Sequence, residues 1–168
     1  GLPESLIGYV DCPIINAGDG RHSHPTQAFL DLFTISEYFG GKTEGKKIAI
    51  VGDVRNSRVA GSNRRLLPRF GIDVNLVAPD CFKYEGDEFK QFDTISEIVD
   101  DMDIVMSLRS QLERHNITYF ESLQEYAKDF CITSELMDRK EFLLLHPGPV
   151  NRNIDITDEV LKHPRCKV

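Results

Sequence analysis

Four short apolar runs constrain this chain most. Lys47-Ile48-Ala49-Ile50-Val51-Gly52-Asp53, Val74-Asn75-Leu76-Val77, Asp103-Ile104-Val105-Met106-Ser107-Leu108 and Phe142-Leu143-Leu144-Leu145 do not alternate polar with apolar residues. Half-exposed strands alternate. The first reads as a fully buried strand, the last as a buried one and the other two as strands, and their alternation with helices gives a parallel sheet. Helical segments lie between them. Ser57 can cap a helix from about Arg58 to Arg69, ending before Gly71, so residues 47–77 read as one β-α-β unit with a right-handed crossover. Thr94-Ile95-Ser96-Glu97 and Ser122-Leu123-Gln124-Glu125 are capping boxes that open further helices. Residues 133–140 read as helical, and Thr157 is expected to cap a last helix from Asp158 to about Lys162.

The first third of the chain is different. Apolar Leu6 to Val10 and Pro13 to Ile15 lead into the turn-rich Asn16-Ala17-Gly18-Asp19-Gly20. His24-Pro25-Thr26-Gln27 then opens a helix, with Pro25 in its first turn and Gly40-Gly41 stopping it. Phe29, Leu32, Phe33, Ser36 and Phe39 share one helical face, the expected buried one. The whole pattern predicts an α/β fold, a Rossmann-like parallel sheet flanked by helices. In such sheets ligands bind beyond the carboxyl ends of the strands.

Composition narrows the function classes. The chain has 168 residues, 40% of them hydrophobic and 28% charged, which suits a folded domain with a real core. A formal net charge of -7 argues against a nucleic-acid partner, although an acidic total leaves room for a local basic pocket. Cys12, Cys81, Cys131 and Cys166 are far apart and form no C-x-x-C pair, so they read as reduced thiols in a cytoplasmic protein. No apolar run reaches membrane-spanning length, and no membrane partner is expected. The chain starts Gly1-Leu2-Pro3 without an initiator Met and reads as a piece of something longer.

The polar residues fall at strand ends. Arg58 follows the first strand, Arg109 and Gln111 the third, and His146-Pro147-Gly148-Pro149 the fourth. His24 and Gln27 begin a helix and share one face at i, i+3. Two arginines converging on one edge suit a small dianion, because guanidinium forks match carboxylates two bonds at a time. Glu113, four residues after Arg109, could hold that guanidinium. Each arginine taken alone reads equally as a solvated surface charge. Prolines flanking Gly148 make a rigid loop whose carbonyls, Pro149 included in the frame, can face a ligand. His22-x-His24 lacks the further ligands a metal needs, so no metal is expected. The G-x-G-x-x-G and Walker A patterns are both missing around Gly52-Asp53, which disfavours NAD or ATP, and no cofactor is expected.

Five segments in this order resemble the bacterial catalytic chains of the aspartate carbamoyltransferase family. They are Ile15 to Gly20; His24-Pro25-Thr26-Gln27 with Leu30 to Ile35; Val51-Gly52-Asp53 with Ser57-Arg58-Val59; Arg109-Ser110-Gln111-Leu112-Glu113-Arg114-His115; and His146-Pro147-Gly148-Pro149-Val150-Asn151-Arg152. The resemblance implies the family's second domain and its reaction, carbamoyl phosphate plus L-aspartate to N-carbamoyl-L-aspartate and phosphate, an early step of pyrimidine synthesis. It implies that His24 hydrogen-bonds the carbamoyl oxygen as the catalytic group. Gln27 and the carbonyls of Pro147 and Gly148 would hold the carbamoyl amide. Arg58, Arg109 and Gln111 would bind aspartate, with Glu113 and Pro149 in support. The family's Ser-Thr-Arg-Thr phosphate loop is absent, as are its closing C-terminal helices. Residues 1–23 are therefore expected to be a junction with a missing carbamoyl-phosphate domain, and 24–168 the aspartate-binding domain. This piece alone is expected to show no turnover, and the full-length form to be a homotrimer. The resemblance leaves open a regulatory or dihydroorotase partner. The rivals are ornithine carbamoyltransferase, disfavoured because arginines repel a cationic substrate, and a non-catalytic transferase-like binding module.

Overall fold

The structure is a computed structural model that describes residues 1–86, 88–110 and 122–168. Its centre is a six-stranded sheet. The strands are β1 (Lys47–Val51), β2 (Asp73–Val77), β3 (Lys90–Phe92), β4 (Ile104–Ser107), β5 (Leu143–Leu145) and β6 (Cys166–Lys167). Their order is β3-β2-β1-β4-β5-β6, and every pairing is parallel. The order reverses between β1 and β4, and such a reversal opens a crevice at the carboxyl ends of the two strands.

The four expected strands are β1, β2, β4 and β5. Each buries both faces, and alternate residues serve opposite layers. Ile48 and Ile50 join Leu76, Met106 and Leu145 in one core cluster. Ala49 and Val51 join Val77, Val105 and Leu144 in the other. Helix α1 spans Leu2–Leu6 and precedes the loop that reaches His24. The first core cluster is covered by α2 (Pro25–Tyr38) and α3 (Arg58–Leu66). The second is covered by α4 (Leu123–Phe130), α5 (Ser134–Arg139) and the short turns around residues 95–101.

Capping is local and legible. The Ser57 hydroxyl accepts from Ala60 N at 3.2 Å, and Ser122 from Glu125 N at 3.1 Å. The Glu97 carboxylate accepts from Thr94 N at 3.1 Å, although the turn it opens is 3-10 rather than α. The helix expected to run to Arg69 changes to a 3-10 turn at Leu67–Phe70, because Pro68 has no N–H to continue the α ladder.

Two expectations are corrected. Helix α2 buries Ala28, Asp31, Leu32 and Ile35, whereas Phe29 and Phe33 are 58% and 63% exposed. Small Ala28 lets the helix approach closely, and a hydrogen bond from Asn63 to Asp31 fixes that rotation. Thr157 caps nothing, since its hydroxyl is buried without a partner among the described residues. Only a 3-10 turn, Val160–Lys162, forms there. Pro164 holds His163 extended, with ψ 137°, and leaves too few residues for an α turn. The edge strands β3 and β6 have three and two residues, too short to carry a sequence pattern.

Candidate functional site

A cavity of about 610 Å³ opens at the crevice between β1 and β4. Four chain segments reach it. His24 and Gln27 come from the start of α2; Asp53, Asn56 and Arg58 from the turn after β1; Leu108 and Arg109 from the end of β4; and Pro147, Gly148 and Pro149 from the loop after β5. Seven residues singled out from the sequence therefore share one cavity: His24, Gln27, Arg58, Arg109, Pro147, Gly148 and Pro149. Gln111 and Glu113 lie outside the described residues.

Arg58 is the first residue of α3, behind the Ser57 cap. Its guanidinium donates to Gly20 O at 3.3 Å and packs on Gly18. Gly18 has φ +123°, which calls for glycine, and a Cβ there would also lie 3.2 Å from Arg58 Cζ and press on the guanidinium. The Gly18 turn is held by Asn16, whose side chain accepts from Gly18 N at 2.9 Å and donates to Ser23 Oγ at 2.8 Å. Among the described residues Arg58 pairs with no carboxylate, so its charge is available to a ligand.

His24 is the N-cap of α2. Its backbone N–H donates to Ser62 Oγ at 2.9 Å, which ties α2 to α3. Its Nδ1 lies 3.3 Å from the Thr26 hydroxyl. When that hydroxyl donates, Nε2 carries the ring proton and is a donor. Burial, and then the nearby Arg58 charge, push the imidazole below its usual range. His24 is therefore held toward its neutral form, and in that tautomer Nε2 is the donor.

The loop after β5 is anchored from beneath by a buried polar network that no sequence reading identified. His146 Nδ1 accepts from Gly148 N at 2.9 Å, in a backbone turn where Gly148 has φ +63°. His146 Nε2 lies 3.4 Å from Asp155 Oδ2, with both side chains fully buried. Asp155 Oδ1 accepts from Ser110 N at 3.0 Å and Ser110 Oγ at 2.7 Å, and Oδ2 accepts from Asn151 N at 2.8 Å. Asn151 in turn donates to Ser110 O at 2.6 Å. One carboxylate thus joins the segment after Arg109 to the segment after Pro149. Asp53 does similar local work by accepting from Asn56 N at 3.0 Å and Asn56 Nδ2 at 2.9 Å. Ser110, Asn151 and Asp53 stood in the quoted motifs without a role. Asp155 left no signal except an acid two residues before Thr157, in a stretch that reads as loop.

Potential metal ligands gather elsewhere. Among the described residues they are Glu4, Asp19 and His22, two of them exposed, and His24 is not among them. No described helix is long and apolar enough to cross a membrane.

Known proteins carry the same architecture. The family model described as aspartate/ornithine carbamoyltransferase, Asp/Orn binding domain, matches residues 44–168. Its companion, the carbamoyl-P binding domain, matches residues 2–37. The chain is 89% identical over its whole length to an aspartate carbamoyltransferase catalytic subunit of Aliarcobacter butzleri, and covers 57% of that protein. The catalytic subunit of M. jannaschii aspartate transcarbamoylase superposes with a TM-score of 0.81 at 31% identity, covering 97% of this chain and 55% of that one. Aspartate transcarbamoylase from Trypanosoma cruzi, in complex with aspartate and phosphate, gives 0.80 at 30% identity, covering 97% and 54%. The chain therefore spans about half the length of the relatives and structures it matches.

Proposed function

The chain belongs to the aspartate/ornithine carbamoyltransferase family, and we propose that its cavity is the aspartate site and part of the carbamoyl site of an aspartate carbamoyltransferase. The observation that carries this reading is the convergence of Arg58 and Arg109, from two different strand ends, with His24, Gln27, Pro147 and Gly148 on one cavity. Two guanidinium groups match the two carboxylates of aspartate. They would repel the cationic side chain of ornithine. Neutral His24 suits donation to a carbonyl oxygen that gains negative charge. The Pro147 and Gly148 carbonyls suit an NH2 group, since they only accept.

In this mechanism the α-amine nitrogen of aspartate attacks the carbamoyl carbon of carbamoyl phosphate. A C–N bond forms, the C–O bond to phosphate breaks, and inorganic phosphate leaves with the amine proton. The cavity contributes orientation and charge stabilisation rather than a general base. Gln111 would add to aspartate binding and Glu113 would steady Arg109. The reading extends to a cytoplasmic homotrimer serving pyrimidine synthesis in the full-length form. Residues 1–23 would act as a junction, 24–168 as the aspartate domain, and the 168-residue piece alone would show no turnover.

The test is ureido product formed by the full-length chain from carbamoyl phosphate with aspartate or ornithine in parallel. Product with aspartate alone is expected. Arg58→Ala and Arg109→Ala should each weaken aspartate by about 2–5 kcal/mol, the loss seen when one partner of a buried charge pair is removed. That is a rise in KM of roughly 30-fold or more. Product with ornithine alone would refute the carboxylate argument. No product from a folded protein would shift the weight to a binding module.

A further inference from the structure

Gln27 reaches the cavity as one end of a chain of amides and one acid that is otherwise closed to solvent. Its Nε2 donates to Asp31 Oδ1 at 2.9 Å. Asp31 is 5% exposed and lies one turn further along α2. Its second oxygen accepts from Asn63 Nδ2 at 2.7 Å, across the contact between α2 and α3. Asn63 is itself wholly buried, and the same amide donates to Val59 O at 3.2 Å. Neighbouring Ser62 holds His24 N. Both cavity residues of α2 are thus set by adjacent residues of α3.

A carboxylate oxygen only accepts, so the Gln27 atom that faces Asp31 must be the NH2 end of the amide. The two ends of an amide lie on opposite sides of one planar carbon. With the nitrogen held inward, Oε1 is left for the cavity, and none of the described residues donates to it. A third acceptor then joins the Pro147 and Gly148 carbonyls. A site that offers only acceptors to a planar group rewards NH2 and leaves its own groups unpaired against CH3. Burial raises the Asp31 carboxyl above its ordinary range even with two amides donating to it.

We propose that Asp31 is a positioning residue that fixes the Gln27 amide with its carbonyl oxygen toward the cavity, and so makes the site discriminate carbamoyl phosphate from acyl phosphates with an alkyl group in place of NH2. The proposal rests on the carbamoyl reading above and adds a source for its selectivity. Asp31 touches no substrate and acts through Gln27.

The test uses the full-length enzyme. Two quantities are measured: kcat/KM for carbamoyl phosphate, and the inhibition constant of acetyl phosphate as its competitor. Asp31→Ala removes the acceptor and frees the Gln27 amide to turn over. The expected result is a fall of about tenfold in kcat/KM for carbamoyl phosphate, about 1.4 kcal/mol, with the acetyl phosphate constant moving less than twofold. Asp31→Leu keeps the volume filled and should behave alike, which covers the case where the truncation does not fold. Asp31→Asn retains one acceptor oxygen. Its NH2 meets Asn63 Oδ1 only when the Asn63 amide turns over and gives up its Nδ2 bond to Val59 O, and with that turn this variant should recover most of the discrimination. In a Gln27→Ala background, Asp31→Ala should cause no further loss. Equal losses for both phosphates, or an undiminished Asp31 effect without Gln27, would overturn the proposal and leave Asp31 a packing residue. A parent enzyme that makes no carbamoyl-aspartate would instead bring down the functional reading, before any Asp31 variant is consulted.

Discussion

Replacing Asp155 with alanine tests whether the two loops of the site are joined by one carboxylate. Asp155 is 1% exposed and receives three hydrogen bonds at 2.7–3.0 Å. Without it, Ser110 N–H is left inside the fold without its acceptor, since Ser110 is 2% exposed. A buried unsatisfied donor costs about 1–3 kcal/mol. The Ser110 hydroxyl and Asn151 N–H lose bonds worth about 1 kcal/mol each, partly recovered because Asn151 lies nearer the surface. Removing a buried carboxylate also relieves its desolvation, which offsets part of the loss. The net expectation is a destabilisation of about 3 kcal/mol, a large share of the 5–15 kcal/mol that holds an ordinary domain together. In urea unfolding followed by circular dichroism, a midpoint shift of about 1.5 M follows if the slope is about 2 kcal/mol/M. Asp155→Asn keeps one acceptor and should lose less than half as much. A shift equivalent to less than 1 kcal/mol for the alanine variant, at unchanged slope, would refute the tether. The contacts around Ser110 would then be a consequence of packing rather than its cause.

Three further outcomes are expected. Gly18→Ala forces a Cβ to 3.2 Å from the Arg58 guanidinium at a φ of +123°; it should lower stability by about 1–3 kcal/mol through backbone strain, and steady-state kinetics should show KM for aspartate rising more than KM for carbamoyl phosphate. His24 titrates low through burial and the Arg58 charge, so removing that cation in Arg58→Ala should move the His24 midpoint upward, read from the imidazole proton resonances; a downward or absent shift would contradict the proximity. The Asp31 carboxyl is raised in the fold, chiefly by burial, so the stability it allows is fully present below the unfolded carboxylate value and is lost as pH rises through the folded one. The stability of Asp31→Asn relative to the parent should therefore increase as pH climbs from below about 3.9 toward neutrality. Urea midpoints of both proteins along that pH series check the sign.

Much of the architecture was legible because its signals are local. Strands β1, β2, β4 and β5 are short, mostly apolar runs buried on both faces, and Ser57 and Ser122 cap the helices they precede. The parallel sheet also follows from alternating strands and helices, whereas its strand order, and with it the crevice that Arg58 and Arg109 both line, came only with the fold. What failed depended on neighbours remote in sequence. Phe29 and Phe33 satisfy helical periodicity as well as Ala28 and Ile35 do; contacts with α3, such as the Asn63–Asp31 bond 32 residues apart, go with the face that turns inward. Thr157 looks like a cap until Pro164 shortens the segment after it. Asp155 could not be found at all, because its partner Ser110 lies 45 residues away and nothing in a loop sequence marks an acid as buried.

The buried acids behind the cavity also explain how the chain keeps positive charge available at its mouth. Asp53 lines the cavity and accepts from Asn56, and the acids set further back do not pair with Arg58. Instead Asp31 is satisfied by the amides of Gln27 and Asn63, and Asp155 by backbone N–H groups and a serine hydroxyl. Neutral donors can meet the hydrogen-bonding needs of a carboxylate without adding a compensating charge, although they do not remove its desolvation cost. Each acid therefore orients neutral groups, an amide end in one case and two loops in the other. Arg58 is left on a carbonyl and a glycine. The arrangement carries a stability cost at neutral pH for Asp31. The same substitution that relieves that cost, Asp31→Asn, should therefore stabilise the fold relative to the parent as pH rises, while Asp31→Ala should reduce selectivity. If both variants changed stability and selectivity in parallel, the separation between charge burial and amide orientation would be wrong.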